Sequence, residues 1–302
     1  MLYGIIDLGS NTIRLCIYNC ENGAFSLLLN EKSFAGLVGY VENARMNAYG
    51  VMKAIKTIQK YQKITACLGV KKLHIFATAS LRNIVNTAEV LERIHAETGL
   101  RPDVLSGEDE AHFGFTGANS AVKLDRGLYV DIGGGSMELV HFENDRVLHE
   151  TSIPVGCLNL YLTHVKELLP DKKERKAIRA AVREELSQVD WLYGIKTQAI
   201  CGVGGTIRAL KKYHAETTNS NGAPLEAGYV NAFINTVGNA KGLGYKPLLR
   251  VIPDRIHTII PGLLILDEVL LESGAQQIYV SKYGVREGYL VSRVLTGEDA
   301  LG

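Results

Sequence analysis

At 302 residues, with 46% hydrophobic and 22% charged side chains, the chain is long enough for two globular domains, each burying its own core. A formal net charge of +1 excludes bulk electrostatic attraction to nucleic acid or an anionic membrane as the basis of function, so neither is expected as a partner. Five cysteines (Cys16, Cys20, Cys67, Cys157, Cys201) are odd in number and form no CxxC pair, which excludes a disulfide framework and points to a reducing cytoplasm.

The chain opens on MLYGIIDLGSN, which has neither the basic nor the apolar region of a signal peptide. Residues 4–18, GIIDLGSNTIRLCIY, match residues 128–142, LYVDIGGGSMELVHF, with Asp7 on Asp131, Gly9 on Gly133, Arg14 on Glu138 and Leu15 on Leu139. Each copy reads as a strand, a glycine turn and a returning strand, followed by a polar ENG or END turn into a further strand. This internal repeat predicts two domains of one topology, 1–124 and 125–302, with the final helix placed to pack back on the first.

Apolar residues Val51, Ile55, Ile58, Tyr61, Ile64 and Leu68 recur at helical spacing and stop at Gly69. A strand from Lys72, a capped helix from Asn86 to Gly99, a short strand in PDVLSG and a helix from Gly107 follow. After the second copy come a helix over about 170–192, the strand QAICGVGG, further helices, the strand QIYVS from Gln276 and a last helix from about Gly284. IIPGLLIL, from Ile259, is far shorter than the roughly 20 residues that span a bilayer. Strands alternating with helices make the fold class α/β.

Three glycine loops carry the chemistry: the two Asp-Gly turns, and CGVGGTIRAL from Cys201, which links a strand to a helix. Such loops aim backbone N–H groups at an anion, and phosphate is the natural ligand. The dinucleotide GxGxxG pattern is excluded because both Asp-Gly loops return as strands, and no GxxxxGK[ST] string occurs. Asp7 and Asp131, at the ends of buried strands, need a cation or a cation-held water, and Mg2+ suits carboxylates that share it with phosphate oxygens. Glu108, Asp109 and Glu110 in SGEDEA fit either a helix cap or a carboxylate that deprotonates water. Arg82, just after a strand, fits either a surface ion pair or charge relief on a transferring phosphoryl group. The bases of DKKERKAIRAAVREEL, from Asp171, read as a solvated helix face opposite Ile178, Val182 and Leu186.

Taken in order, IIDLGSNTIRL, ATASLRN, SGEDEA, VDIGGGSMELV, IPVGCLNL, CGVGGTIRAL and RIHTIIPGLLIL resemble the exopolyphosphatase and guanosine pentaphosphate phosphohydrolase family over nearly the whole chain. The resemblance implies two duplicated ribonuclease H-like domains of the actin, hexokinase and heat-shock chaperone superfamily, with a phosphate cleft between the domains. It implies a Mg2+-dependent hydrolase that takes the terminal phosphate from polyphosphate or from guanosine pentaphosphate. On this resemblance Glu110 is the catalytic base and Arg82 the phosphate-contacting arginine. Ser10 and Asn11, then Gly133, Gly134, Gly135 and Ser136, then Gly204, Gly205 and Thr206 bind phosphate, while Asp131 and Glu138 match acids linked to metal and water. The chain departs from the family at Asp109 and Met137, and in KSFAGLVGYVENARMN from Lys32, where a basic RLG-like stretch is usual. A polyphosphate or alarmone sensor, and an ATP-using kinase on the same fold, are the alternatives; a homodimer stays open as the assembly.

Overall fold

The structure is a computed structural model that describes residues 1–22, 24–218, 222–238, 240 and 242–296. It resolves into two compact units, Met1–Gly107 and Glu108–Gly302.

In the first unit, β1 (Leu2–Leu8), β2 (Thr12–Glu21) and β3 (Ala24–Phe34) form an antiparallel meander. A two-strand ribbon, β4 (Val41–Glu42) and β5 (Arg45–Met46), leads into α1 (Ala48–Cys67). Then come β6 (Lys72–Ala77), the single turn α2 (Ala79–Arg82), α3 (Thr87–Thr98) and β7 (Asp103–Val104), with sheet order β3-β2-β1-β6-β7. The helical spacing in α1 buries Ala54, Ile55, Ile58 and Tyr61 against the sheet, and Asn47 caps the helix by accepting from the Tyr49 and Gly50 amides, each at 3.1 Å. Gly99 ends α3 in the left-handed conformation, as its sequence predicts. Asn86 does not cap that helix through its side chain. It is buried and bonds the backbone of Met46 instead, accepting from N at 3.0 Å and donating to O at 3.1 Å.

The second unit begins with α4 (Gly107–Asn119), followed by the meander β8 (Arg126–Ile132), β9 (Met137–Glu143) and β10 (Arg146–Ile153). Then come α5 (Cys157–His164), α6 (Lys172–Leu186), β11 (Ala199–Val203), α7 (Gly204–Thr218), β12 (Leu225–Glu226), α8 (Ala227–Gly238), α9 (Lys246–Val251), α10 (Ile259–Ser273), β13 (Gln277–Val280) and α11 (Val285–Tyr289). The order β10-β9-β8-β11-β13-β12 repeats that of the first sheet and adds one antiparallel edge strand. An antiparallel three-strand meander continued by parallel strands, found twice, is the duplicated ribonuclease H-like arrangement.

The units divide before α4, whereas the sequence repeat draws its boundary after it. Ala111, Phe115 and Ala118 of α4 share a core with Tyr129, Val140 and Phe142 of the second meander, which explains the earlier division. Residues 284–288 pack on the same helix: a Cβ on Gly117 would overlap Gly284, and one on Gly288 would overlap Phe113. So α11 rests on a helix that the repeat assigns to the first domain and the contacts assign to the second unit.

Helix α10 is buried almost from end to end, including Asp267 and Glu268. Two bases of α6 answer these charges. Arg179 meets Asp267 at 2.5 Å and also Glu268, and Arg183 Nε donates to Glu268 at 2.6 Å. The reading of α6 as a solvated basic face is therefore corrected for Arg179, while Arg183 stays largely exposed as it reaches Glu268. A buried acid without its partner costs about 3–5 kcal/mol, so these arginines act in the fold and not toward a ligand.

Candidate active site

The triple-glycine turn 133–136 is held from behind. Gly133 N donates to Ser136 O at 2.9 Å, closing the hairpin. The first turn of α5 then donates into the loop: Cys157 N to Gly133 O at 3.0 Å, and Leu158 N and Asn159 N to Gly134 O at 3.0 and 3.1 Å. These are the amides that a helix N-terminus leaves unpaired, and α5 has no side-chain cap because the loop carbonyls do that work. Asn159 Nδ2 donates to the third carbonyl, Gly135 O, at 3.3 Å. In a trans peptide each C=O points opposite to the following N–H. The amides of Gly134, Gly135 and Ser136 therefore face away from α5 together, as an anion cradle requires. Gly156 permits the close approach, since a Cβ there would overlap the Gly134 backbone.

The acids gather beside this loop. Asp131 and Glu138 are register partners across β8 and β9, and Ser152 of β10 lies next to Glu138 and donates to its Oε1 at 2.8 Å. Glu138 is 1% exposed and Glu110, on α4, 8%. Burial pushes the Glu138 carboxyl well above its ordinary range; Glu110 and then Asp131 push the same way, while the Ser136 and Ser152 hydroxyls pull back. Tyr129 donates to Asp131 Oδ2 at 3.3 Å, and burial followed by the Asp131 charge raises that phenol too. Gly114, one turn after Glu110, lets α4 pass so close that a Cβ would overlap the Tyr129 hydroxyl. Helix α4 is thus seated directly over the strand that carries Asp131.

The third loop joins them. Gly204 holds φ +92, where a Cβ would lie 2.8 Å from Asp131 Oδ1 and 2.5 Å from Ile132 O. Only glycine fits there. The Thr206 side chain is fully buried, and a Cβ on Gly262 of α10 would lie 2.5 Å from its Oγ1. Arg255, which the sequence reading passed over, lies with its guanidinium against Gly205, its side chain 16% exposed and Asp254 3.9 Å away. Its signal in sequence is that it opens RIHTIIPGLLIL, one of the stretches that carry the family resemblance, where it received no role. Among the described residues, no three His, Cys, Asp or Glu side chains converge to hold a metal by themselves.

In the first unit the same turn recurs. Gly9 N donates to Thr12 O at 3.1 Å. Val38 N donates to Ser10 O at 3.1 Å, and Ala35 N and Gly36 N donate to Asn11 O at 3.1 and 2.9 Å, so the Asn11 and Thr12 amides face away from that segment. Asp7 pairs in register with Arg14, which pairs with Lys32. Arg82 ends α2, which Ser80 ties to the end of β1 by donating to Leu8 O; Arg82 Nη1 donates to Leu105 O at 3.2 Å.

Residues 16–297 match the model of the Ppx/GppA phosphatase family. Exopolyphosphatase 1 of Mycobacterium tuberculosis is 25% identical over 308 residues, covering 97% of this chain and 88% of that protein. A guanosine-5'-triphosphate,3'-diphosphate pyrophosphatase of Aliivibrio fischeri is 28% identical over 70% of this chain and 43% of its own length. The crystal structure of the Aquifex aeolicus Ppx/GppA family member superposes with TM-score 0.81 at 28% identity, covering 98% of both chains. Twice-repeated sheet order, glycine loops braced from behind and a family match over nearly the full length lead to one assignment: the chain belongs to the Ppx/GppA phosphatase family.

Proposed function

We propose that this chain releases the terminal phosphate of inorganic polyphosphate, or the 5′ γ-phosphate of guanosine pentaphosphate, by attack of water. The observation that carries the reading is the braced loop 133–136, whose three amides face one way beside the buried acids Glu138 and Glu110 and the half-buried Asp131. Those amides, with the Ser10–Asn11 turn, the Gly204–Gly205 turn and the Thr206 backbone, receive phosphate oxygens. Arg82 offsets the charge that develops on the transferring group. Glu110 accepts a proton from water as its oxygen bonds to phosphorus in line with the departing bridging oxygen. A buried carboxyl beside two further acids, with the Ser136 and Ser152 hydroxyls as donors, suits a hard divalent cation, and Asp7, Asp131 and Glu138 are the residues that would hold Mg2+. Bound there, the ion supplies neutralisation of the phosphate charge.

A cytoplasmic setting agrees with five free cysteines and with the absence, among the described residues, of a helix long and apolar enough to cross a membrane. The test is phosphate release with Mg2+ from long polyphosphate, tripolyphosphate, guanosine pentaphosphate and ATP. Glu110→Gln is expected to lower kcat by roughly 10²- to 10⁴-fold and to leave substrate binding intact. Unchanged turnover would remove Glu110 from the mechanism. Binding of these substrates without release from any of them would make the protein a sensor, and transfer from ATP to an acceptor would make it a kinase.

A further inference from the structure

We propose that Asn159 is a positioning residue for the phosphate loop, acting through the Gly135 carbonyl; the inference rests on the reading above. Two of the three loop carbonyls, those of Gly133 and Gly134, are engaged by backbone amides of α5. The third, Gly135 O, accepts from the Asn159 side chain at 3.3 Å. That bond fixes the peptide plane that aims the Ser136 N–H. That plane lies between Gly135 and Ser136, and next to a residue as permissive as Gly135 it is free to rotate without such a bond, whereas an amide helps an anion only if it is aimed beforehand.

The residue type supports this role. Asn159 stands in the first turn of α5, where an acid would interact better with the helix dipole. An acid cannot donate, whereas the Asn side-chain amide can. In the first copy the carbonyl that corresponds to Gly135 O is Asn11 O, and the backbone amides of Ala35 and Gly36 serve it. In the second copy the backbone amides of α5 reach Gly133 O and Gly134 O, which leaves Gly135 O to a side chain. Asn159 meets that demand.

The test compares Asn159→Leu, Asn159→Asp and Asn159→Gln in the full chain, measuring tripolyphosphate affinity by calorimetry, kcat and KM for phosphate release, and the thermal midpoint. Leu, close in size but without a donor, is expected to weaken binding roughly 3- to 10-fold, and Asp at least as much. The midpoint should stay within about 2 °C for both, since Asp suits this helix position. A packing role would not separate binding from stability in this way. Gln is expected to restore affinity to within about twofold of wild type. A cavity of about 180 Å³ lined by Gly156, Asn159, Thr163 and Glu184 has room for its extra methylene. Wild-type affinity in the Leu and Asp variants, or a Gln variant as weak as Leu, would overturn the proposal. If the wild-type chain binds tripolyphosphate but releases no phosphate, the hydrolase reading falls and the affinities still decide the role of Asn159. A wild-type chain that binds no tripolyphosphate overturns both.

Discussion

The two copies of the Asp-Gly turn share a backbone and differ in charge. Across the first meander the register sets Asp7 beside Arg14 and Arg14 beside Lys32, one acid followed by two bases. Across the second it sets Asp131 beside Glu138 and Glu138 beside Ser152, two acids followed by a hydroxyl. The backing differs as well. The first loop leans on a left-handed glycine and a short 3-10 helix, the second on a full α-helix plus a side-chain donor. Duplication thus kept the device that turns backbone amides outward and divided the electrostatics. One copy follows its aspartate with bases along the register. The other accumulates negative charge that only a proton or a cation can offset.

The largest effect should come from breaking the backing where it is tightest. Gly156→Ala places a Cβ into the Gly134 backbone, so α5 and the loop must separate. Displacing a phosphate-positioning loop by even an ångström costs about 10²-fold in rate. The expectation is therefore a kcat/KM for phosphate release roughly 100-fold below wild type, with the far-ultraviolet circular dichroism unchanged. A fully active Ala variant would show that the contact between α5 and the loop is incidental.

A smaller effect sharpens the contrast in charge. Glu138 has its carboxyl raised by burial, then by Glu110 and Asp131, so the folded chain holds that proton more tightly than the unfolded chain does. The stability it contributes is complete below the unfolded value, about 4.5, and is lost as pH rises through the elevated folded value. In chelator, Glu138→Gln should therefore match wild type near pH 4 and melt at a higher temperature at pH 8, by about 2–4 °C for each kcal/mol of relief. Arg14→Gln, in the copy whose aspartate is followed by bases, should show no gain at pH 8. Equal responses from the two variants would dissolve the distinction drawn between the copies.

Much of this was legible in sequence because it depends on local backbone demands. Asp-apolar-Gly followed by a returning apolar strand occurs twice, and each glycine meets a steric requirement: a Cβ on Gly9 would lie 2.9 Å from Thr12 O, and one on Gly133 3.0 Å from Ser136 O. Family resemblance supplied the roles proposed for Glu110 and Arg82. What sequence could not show depends on partners distant along the chain. Arg179 and Arg183 look like any helical bases until Asp267 and Glu268 lie buried beside them. Arg255 acquires significance only from Gly205. Helix α4 follows the first copy in sequence but packs through Gly114 and Gly117 on the second meander and on residues 284–288, a placement that depends on partners later in the chain.

The smallest effect should come from Gly36, which holds the place in the first copy that Gly156 holds in the second. Its amide donates to Asn11 O at 2.9 Å, so it backs the loop in the same manner. Yet its φ is +58 and nothing lies within 4 Å of an added Cβ. Gly36→Ala therefore meets backbone strain and no collision, a cost of about 1 kcal/mol read as a lower thermal midpoint. Since the amide survives the substitution, phosphate release should stay within about twofold of wild type, well short of the loss a 1 Å displacement brings. A loss on the scale expected for Gly156→Ala would mean that the first loop is as tightly fitted as the second, and that the asymmetry between the copies lies in charge alone.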